Sequence, residues 1–300
     1  AFVLMAGTAA LPHILMRYYT TPSVRQARNS VFWSLFFIFL LYVTAPAYAV
    51  FAKWEVYSGL VGTPIASLPA WVAAWGRVGL VKIDDINGDG ILQLAELSLN
   101  SDAILLLVPE LAGLPYVVSG LVAAGGLAAA LSTADGLLLT ISHALSHDLY
   151  YKIINPEAST QRRLVITKSQ LLVVAVIAAW VASLRPDSIL FMVGLAFSIA
   201  ASAFFPALVL GIFWKRANKW GAISGMIAGL GVTLLYIVRT HPFFGGDLGN
   251  AWFGIHPISC GVFGVPTGFL AIVVVSLLTP PPNAAVLALV DRVRLPDVGR

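Results

Sequence analysis

The chain has 300 residues, of which 59% are hydrophobic and only 11% charged, with a mean hydropathy of +0.87. A soluble domain carries about 25% charged residues, so this composition excludes an ordinary water-soluble fold and makes a lipid bilayer the natural solvent. The net charge of +4 is spread over short loops, which excludes the dense basic patch of a nucleic-acid binder, and the lone Cys260 excludes a disulfide framework or a thiolate metal site.

A spanning helix needs about 20 mostly apolar residues. The first apolar run, Ala1–Met16, reads as the tail end of a helix interrupted by Gly7 and Pro12. Ala1 stands in place of an initiator Met, the chain opens inside that run, and no basic n-region precedes it, so the expectation is a piece of a longer protein. Six full spans are predicted near Val31–Phe51, Tyr116–Leu145, Leu164–Leu184, Ser188–Trp214, Ala222–Val238 and Ile258–Leu278. The fold class expected is therefore an all-α polytopic membrane protein. Loop 53–113 holds Trp54, Trp71 and Trp75, residues suited to a membrane interface. Short helices are expected within it, because structureless loops of that length are uncommon. Pro280-Pro281-Pro282 ends the last span, which makes residues 1–280 a membrane domain and residues 281–300 a tail.

Six crossings put alternate loops on opposite sides. Arg17–Asn29, Ser146–Lys168, Lys215–Lys219 and the tail after Thr279 hold thirteen of the eighteen Lys and Arg. Lys53, Arg77, Lys82, Arg185 and Arg239 fall on the other side, with most of the acids. The positive-inside rule assigns the basic side to the cytoplasm, and the expected location is the plasma membrane, a bacterial inner membrane.

Residues 85–96 match the twelve-residue EF-hand pattern. Asp85, Asn87 and Asp89 offer side-chain oxygens, Gly90 the sharp turn, Ile91 its carbonyl, Gln93 a ligand directly or through water, and Glu96 both carboxylate oxygens to Ca2+. The plainer reading is a solvated acidic turn. A single external loop of this kind binds Ca2+ at about 10⁻⁴ to 10⁻³ M, which fits a structural clip better than a sensor.

The next span is rich in small residues. Gly125, Ala129, Ser132, Gly136, Thr140 and His143 fall on one face at helical spacing. The carbonyl of Ala129 and the hydroxyls of Ser132 and Thr133 could cage a small hard cation. Equally, the hydroxyls could bond back to the i−4 carbonyls and merely let helices pack. Asp135 is an ionisable group at membrane depth, which is costly and calls for a cavity, a partner or an ion. His143 and His147 read as interfacial.

The stretch from Gly211 to Gly231 resembles a signature of the sodium:solute symporter family. Arg216 is followed after four positions by Gly221-Ala222, and Gly225 and Gly229 extend the glycine series. Leu11-Pro12-His13, Arg17-Tyr18-Tyr19, Ala27-Arg28-Asn29-Ser30 and Ser146-His147-Asp148-Leu149-Tyr150 are similar to the family branch that includes acetate and other monocarboxylate permeases. The likeness runs from Ala1 to about Leu278, and the calcium-type loop looks like an insertion in it.

The resemblance implies a partial leucine-transporter-type inverted-repeat fold. It implies that Ala129, Ser132 and Thr133 contribute to a Na+ site, with a second cation, a proton or a polar substrate group at Asp135. Discontinuous helices line the substrate site in such transporters, which makes Gly7, Thr8, Pro12 and His13 substrate-site candidates. It also implies that the first repeat, needed for transport, is missing here. The function expected is sodium-coupled import of a small organic solute, a monocarboxylate such as acetate, and not an enzyme. Two other classes stay open. One is a calcium-responsive membrane sensor or scaffold. The other is an intramembrane hydrolase using Asp135 with His143 or His147, for which no His-Glu-x-x-His motif is present.

Overall fold

The computed structural model describes residues 1–18, 20–100, 102, 104–184 and 187–294. Of the basic residues counted above, Arg185 and Arg300 lie outside them, as does Tyr19 of the motif after Pro12. Among the described residues six helices are long and apolar enough to cross a membrane, as predicted. The elements in chain order are α1 (Phe2–Ala10), α2 (Pro12–Tyr18), α3 (Val24–Gly59), α4 (Ala70–Arg77), β1 (Val81–Ile83), β2 (Leu97–Leu99), α5 (Ile104–Leu111), α6 (Tyr116–His143), α7 (Thr160–Ser183), α8 (Ile189–Phe213), α9 (Lys219–Thr240), α10 (Gly261–Leu278) and α11 (Ala284–Arg294). They fall into two units, Arg28–Gly136 and Ala1–Ala27 with Leu137–Arg300.

In the second of these units, α1 packs on α8, and α8, α9 and α10 pack on one another. The break in the lead helix lies at Leu11, which is extended at φ −66° and ψ 118°. Pro12 disfavours helical backbone in the residue before it, so the break belongs to Pro12 alone. Gly7, expected to interrupt the helix, stays inside α1, where a Cβ would lie 2.6 Å from the Phe197 carbonyl oxygen of α8.

The bundle is close because α9 and α10 carry complementary series of small residues. A Cβ on Gly221 would lie 2.9 Å from Ile272 O, one on Gly225 2.8 Å from Gly268 O, and one on Gly229 3.0 Å from Gly264 O. Polar side chains cross the same seam. Thr233 Oγ1 donates to Ser202 Oγ (2.7 Å), Ser202 Oγ to Ser198 O (2.8 Å) and Ser198 Oγ to Ile258 O (2.6 Å). The seam is fixed at both ends. Asn218, the N-cap of α9, donates through Nδ2 to Thr279 Oγ1 (2.7 Å) and Pro280 O (2.9 Å) at one end. At the other, Tyr236 Oη donates to Ile255 O. Phe191, Leu195, Tyr236, Ile237 and Cys260 fill the core beside that second end.

On the approach to α7, α6 passes into π-helical turns over Ala144–Ile154, a wider ladder that is rare. Ser142 Oγ donates to Thr167 O of α7 at 2.7 Å, and the Arg163 guanidinium sits 3.3 Å over the Tyr151 ring. Residues expected as loop here, including Arg162, Arg163 and Lys168, already belong to α7.

In the other unit α3 is 36 residues long, not the 21-residue span predicted. At 1.5 Å per residue it reaches about 54 Å, beyond the roughly 30 Å of bilayer hydrocarbon. Its last turns pack into a small subdomain, where Val56, Leu60, Val72, Val81 and Leu92 form a core. Loop 53–113 therefore begins as helix, and it contains α4, α5 and an antiparallel β1–β2 pair in the register Val81↔Leu99 and Ile83↔Leu97. The tail carries a helix, α11.

Candidate functional site

Ala129, Ser132 and Thr133 lie within one turn of α6, as their spacing requires. Thr133 Oγ1 donates to Ala129 O at 3.3 Å, so the hydroxyl and the carbonyl expected to share a cation meet each other. This is the i−4 back-bond that the sequence left as the plainer alternative for Thr133. Ser132, Thr133 and Asp135 are exposed, and no residue of the most apolar window of this helix is buried. A hard cation such as Ca2+ takes six to eight oxygens. Three donors on one helix make only part of such a shell.

The substrate-site candidates divide. Gly7 is buried in the contact with Phe197, which leaves no space beside it for a solute. Thr8 is exposed and donates to Leu4 O at 2.7 Å. Pro12 opens α2, and next to it His13 has its Nδ1 buried with no hydrogen-bond partner. A buried imidazole nitrogen without a partner is costly, and of these four residues His13 alone has an atom that asks for a ligand.

The hydrolase residues do not converge. Asp135 and His143 are eight residues apart on one helix, about 12 Å of rise. His147 is instead held 3.1 Å from Asp148, which Lys152 also reaches at 3.1 Å.

The EF-hand-like loop takes up the backbone its sequence encodes. Gly88 and Gly90 both sit at φ +71°, where a side chain would be strained. Asp85 accepts from Gly88 N (2.8 Å) and Gly90 N (3.1 Å), Asn87 Oδ1 from Asp89 N (3.0 Å), and Asp89 Oδ1 from Ile91 N (2.7 Å). Glu96, almost fully buried, accepts from Ile86 N (3.0 Å) and Gln93 N (2.9 Å). These bonds hold the Asp89 carboxyl below its usual range, first through the Ile91 amide and then through Asn87. Leu92 is fully buried in the subdomain core, and its backbone pairs with the chain just after α3, through Gly62 N to Leu92 O (2.8 Å) and Leu92 N to Thr63 O (2.9 Å). The ligand set itself is not gathered. The amide nitrogens of Asn87 and Gln93 both point at Asp89 Oδ2, where ligation needs their oxygens. Among the described residues no group of three His, Cys, Asp or Glu is placed to hold a metal ion.

The family signature has a clear structural meaning. Arg216 reaches across from the α8–α9 turn and donates through Nη2 to Thr279 O at 2.9 Å, capping the end of α10. The sequence placed Gly221, Gly225 and Gly229 in the signature without showing what they pack against. The signal was available in Gly261, Gly264 and Gly268, spaced three and four apart in the last span.

Six apolar spans, a broken lead helix and a glycine-packed bundle define a multi-pass membrane protein of the plasma membrane. The chain belongs to the sodium:solute symporter family, whose match covers residues 1–229. It is 59% identical over 291 residues to an uncharacterized symporter of Cupriavidus necator, covering 95% of this chain and 42% of that one. It is 30% identical over 300 residues to a monocarboxylic acid transporter of Corynebacterium glutamicum, covering 98% of this chain and 48% of the relative. An uncharacterized symporter of Bacillus subtilis is 29% identical over 273 residues, covering 89% and 46%. The chain thus spans less than half the length of these relatives.

Proposed function

We propose that the whole protein is a sodium-coupled symporter that imports a small monocarboxylate by alternating access, and is not an enzyme. The observation that carries this reading is the family match over residues 1–229, with Ala129, Ser132 and Thr133 adjacent on α6 as the ion donors we assign. The family's description supplies sodium, and the relative named as a monocarboxylic acid transporter supplies the substrate class. On this reading Na+ displaces the Thr133 back-bond and takes Ala129 O, Ser132 Oγ and Thr133 Oγ1. Its remaining ligands come from the first repeat, outside these 300 residues. Residues 1–280 form the membrane domain of the second repeat and the helices after it, and residues 281–300 a cytoplasmic tail. Asp135 serves a second cation, a proton or a polar substrate group. His13 Nδ1 is the strongest of the substrate contacts, and Thr8 and Pro12 shape the break beside it.

The test is uptake of labelled acetate by the full-length transporter in proteoliposomes, with and without a sodium gradient. Sodium-dependent uptake should fall at least about tenfold in Ser132→Ala/Thr133→Ala, the loss of about 1.4 kcal/mol of ion binding. Uptake that ignores sodium and follows a proton gradient would remove the sodium assignment and turn attention to Asp135.

A second reading concerns residues 85–96, with Asp85, Asn87, Asp89, Ile91, Gln93 and Glu96 as ligands, and is favoured by the positive φ of Gly88 and Gly90 in that loop. We infer that this loop takes Ca2+ as a clip once Asn87 and Gln93 turn their amide oxygens inward. Titration calorimetry should give a Kd on the order of 10⁻⁴ to 10⁻³ M, and no heat above that range would reject it.

A further inference from the structure

The ends of α8, α9 and α10 that carry the basic loops enclose a cavity of about 570 Å³. Its walls are apolar, with Ala207 and Gly211 from α8, Ala222 from α9 and Ile272 from α10, and Pro281 and Val286 cover it from the tail side. Its rim is cationic. Lys219 and Trp220 line it, with the Lys219 ammonium 5.2 Å from the Trp220 ring centre. Arg216 stands beside Ala217 of the rim and spends Nη2 on the end of α10, while its Nη1 is buried without a partner. Lys215 is paired with Asp291 of α11 at 2.6 Å. Among the described residues no carboxylate pairs with Arg216 or Lys219.

An apolar cavity with a cationic rim, placed where spanning helices end, matches a molecule with a charged head and a hydrocarbon body. Basic pockets between transmembrane helices on the cytoplasmic side bind anionic lipid head groups. Phosphate oxygens accept charge-assisted hydrogen bonds from Arg and Lys. A free anion leaves the apolar walls unused, and a zwitterionic lipid, whose phosphate is already offset by its own cation, leaves the Lys219 charge uncompensated. We propose that this cavity holds one anionic phospholipid, its phosphate at Lys219 on the rim and an acyl chain along Ala207, Gly211 and Ile272.

The chain, reconstituted with phosphatidylglycerol or with phosphatidylcholine alone and re-extracted in mild detergent, is weighed by native mass spectrometry. The expected result is one retained phosphatidylglycerol per chain, with phosphatidylcholine not retained. Lys219→Gln should weaken that retention about tenfold by removing a charge-assisted bond. Gly211→Leu should abolish it without lowering the lipid-free melting temperature, because a Cβ there meets nothing within 4 Å and the new side chain grows into the cavity. Equal retention of both lipids, equal retention by wild type and both variants, displacement of the lipid by soluble glycerol phosphate, or a second copy cross-linked through this face would each overturn the proposal.

Discussion

Helices α6 and α9 are both rich in small residues, yet their environments are opposite. Gly221, Gly225 and Gly229 of α9 are buried against α10 and α8, each so close that a Cβ would strike a neighbouring backbone oxygen. On α6, Gly125, Ala129 and Ser132 are exposed, and a Cβ on Gly125 would meet nothing within 4 Å. A series of small residues announces a close neighbour without naming it. The neighbour becomes identifiable where a second helix carries a complementary series, as α10 does with Gly264 and Gly268.

The largest test of this contrast is Gly225→Leu, which forces a side chain into the Gly268 carbonyl and Ile272 and should cost about 3 kcal/mol or more. Gly125→Leu should stay within about 0.5 kcal/mol. Thermal unfolding in detergent measures both, and equal losses would erase the distinction. In the full-length transporter Gly125→Leu should instead abolish uptake, if the proposed first repeat covers that face. Next in size, Leu92→Ala should destabilise the subdomain at the end of α3 by about 3 kcal/mol, since Leu92 is fully buried. Fluorescence of Trp71 and Trp75, which pack on that core, should report the loss while the α8–α10 bundle melts at its usual temperature. Coincident melting would show that the two regions are not independent. Smaller again, Thr233→Val breaks the bond to Ser202 and should cost about 1–2 kcal/mol, whereas Thr133→Val on exposed α6 should change stability by less than about 0.5 kcal/mol.

The smallest effect is electrostatic. The Asp89 carboxyl is held below its usual range by the Ile91 amide and by Asn87. A depressed carboxyl contributes stability that is complete above its unfolded pKa and is lost as pH falls through the folded value. The subdomain's tryptophan signal should therefore be flat above about pH 5 and change only below about pH 4. Asp89→Asn should remove that change, and a transition near neutrality would assign it to another group.

The six spans were legible because length and apolarity alone mark a segment that can cross a bilayer. The turn at Gly90 was legible because it needs a residue at ease with positive φ, and the structure adds Gly88 in the same conformation. The far end of α3 was not, because Lys53 and Glu55 read as loop although the helix continues through them to Gly59. The break at Leu11 was predicted through Pro12, but Gly7 was misread, since a glycine inside a helix serves close packing as readily as interruption. For the proposed ion site, Ala129, Ser132 and Thr133 lie close together on α6, with Thr133 bonded back to Ala129 O. Whether they cage a cation or bond to each other depends on partners that a single helix does not encode.

The seam between α9 and α10 repeats every four residues on both helices, and a repeating contact has no inherent stop. Sliding one helix by one repeat, about 6 Å, would set glycine against glycine again. What forbids the slide is the non-repeating chemistry at its two ends: Asn218 on Thr279 and Pro280, and Tyr236 on Ile255. The glycines supply closeness and these pins supply phase, like the end stops on a ratchet. Losing a glycine weakens the seam, whereas losing a pin frees its register.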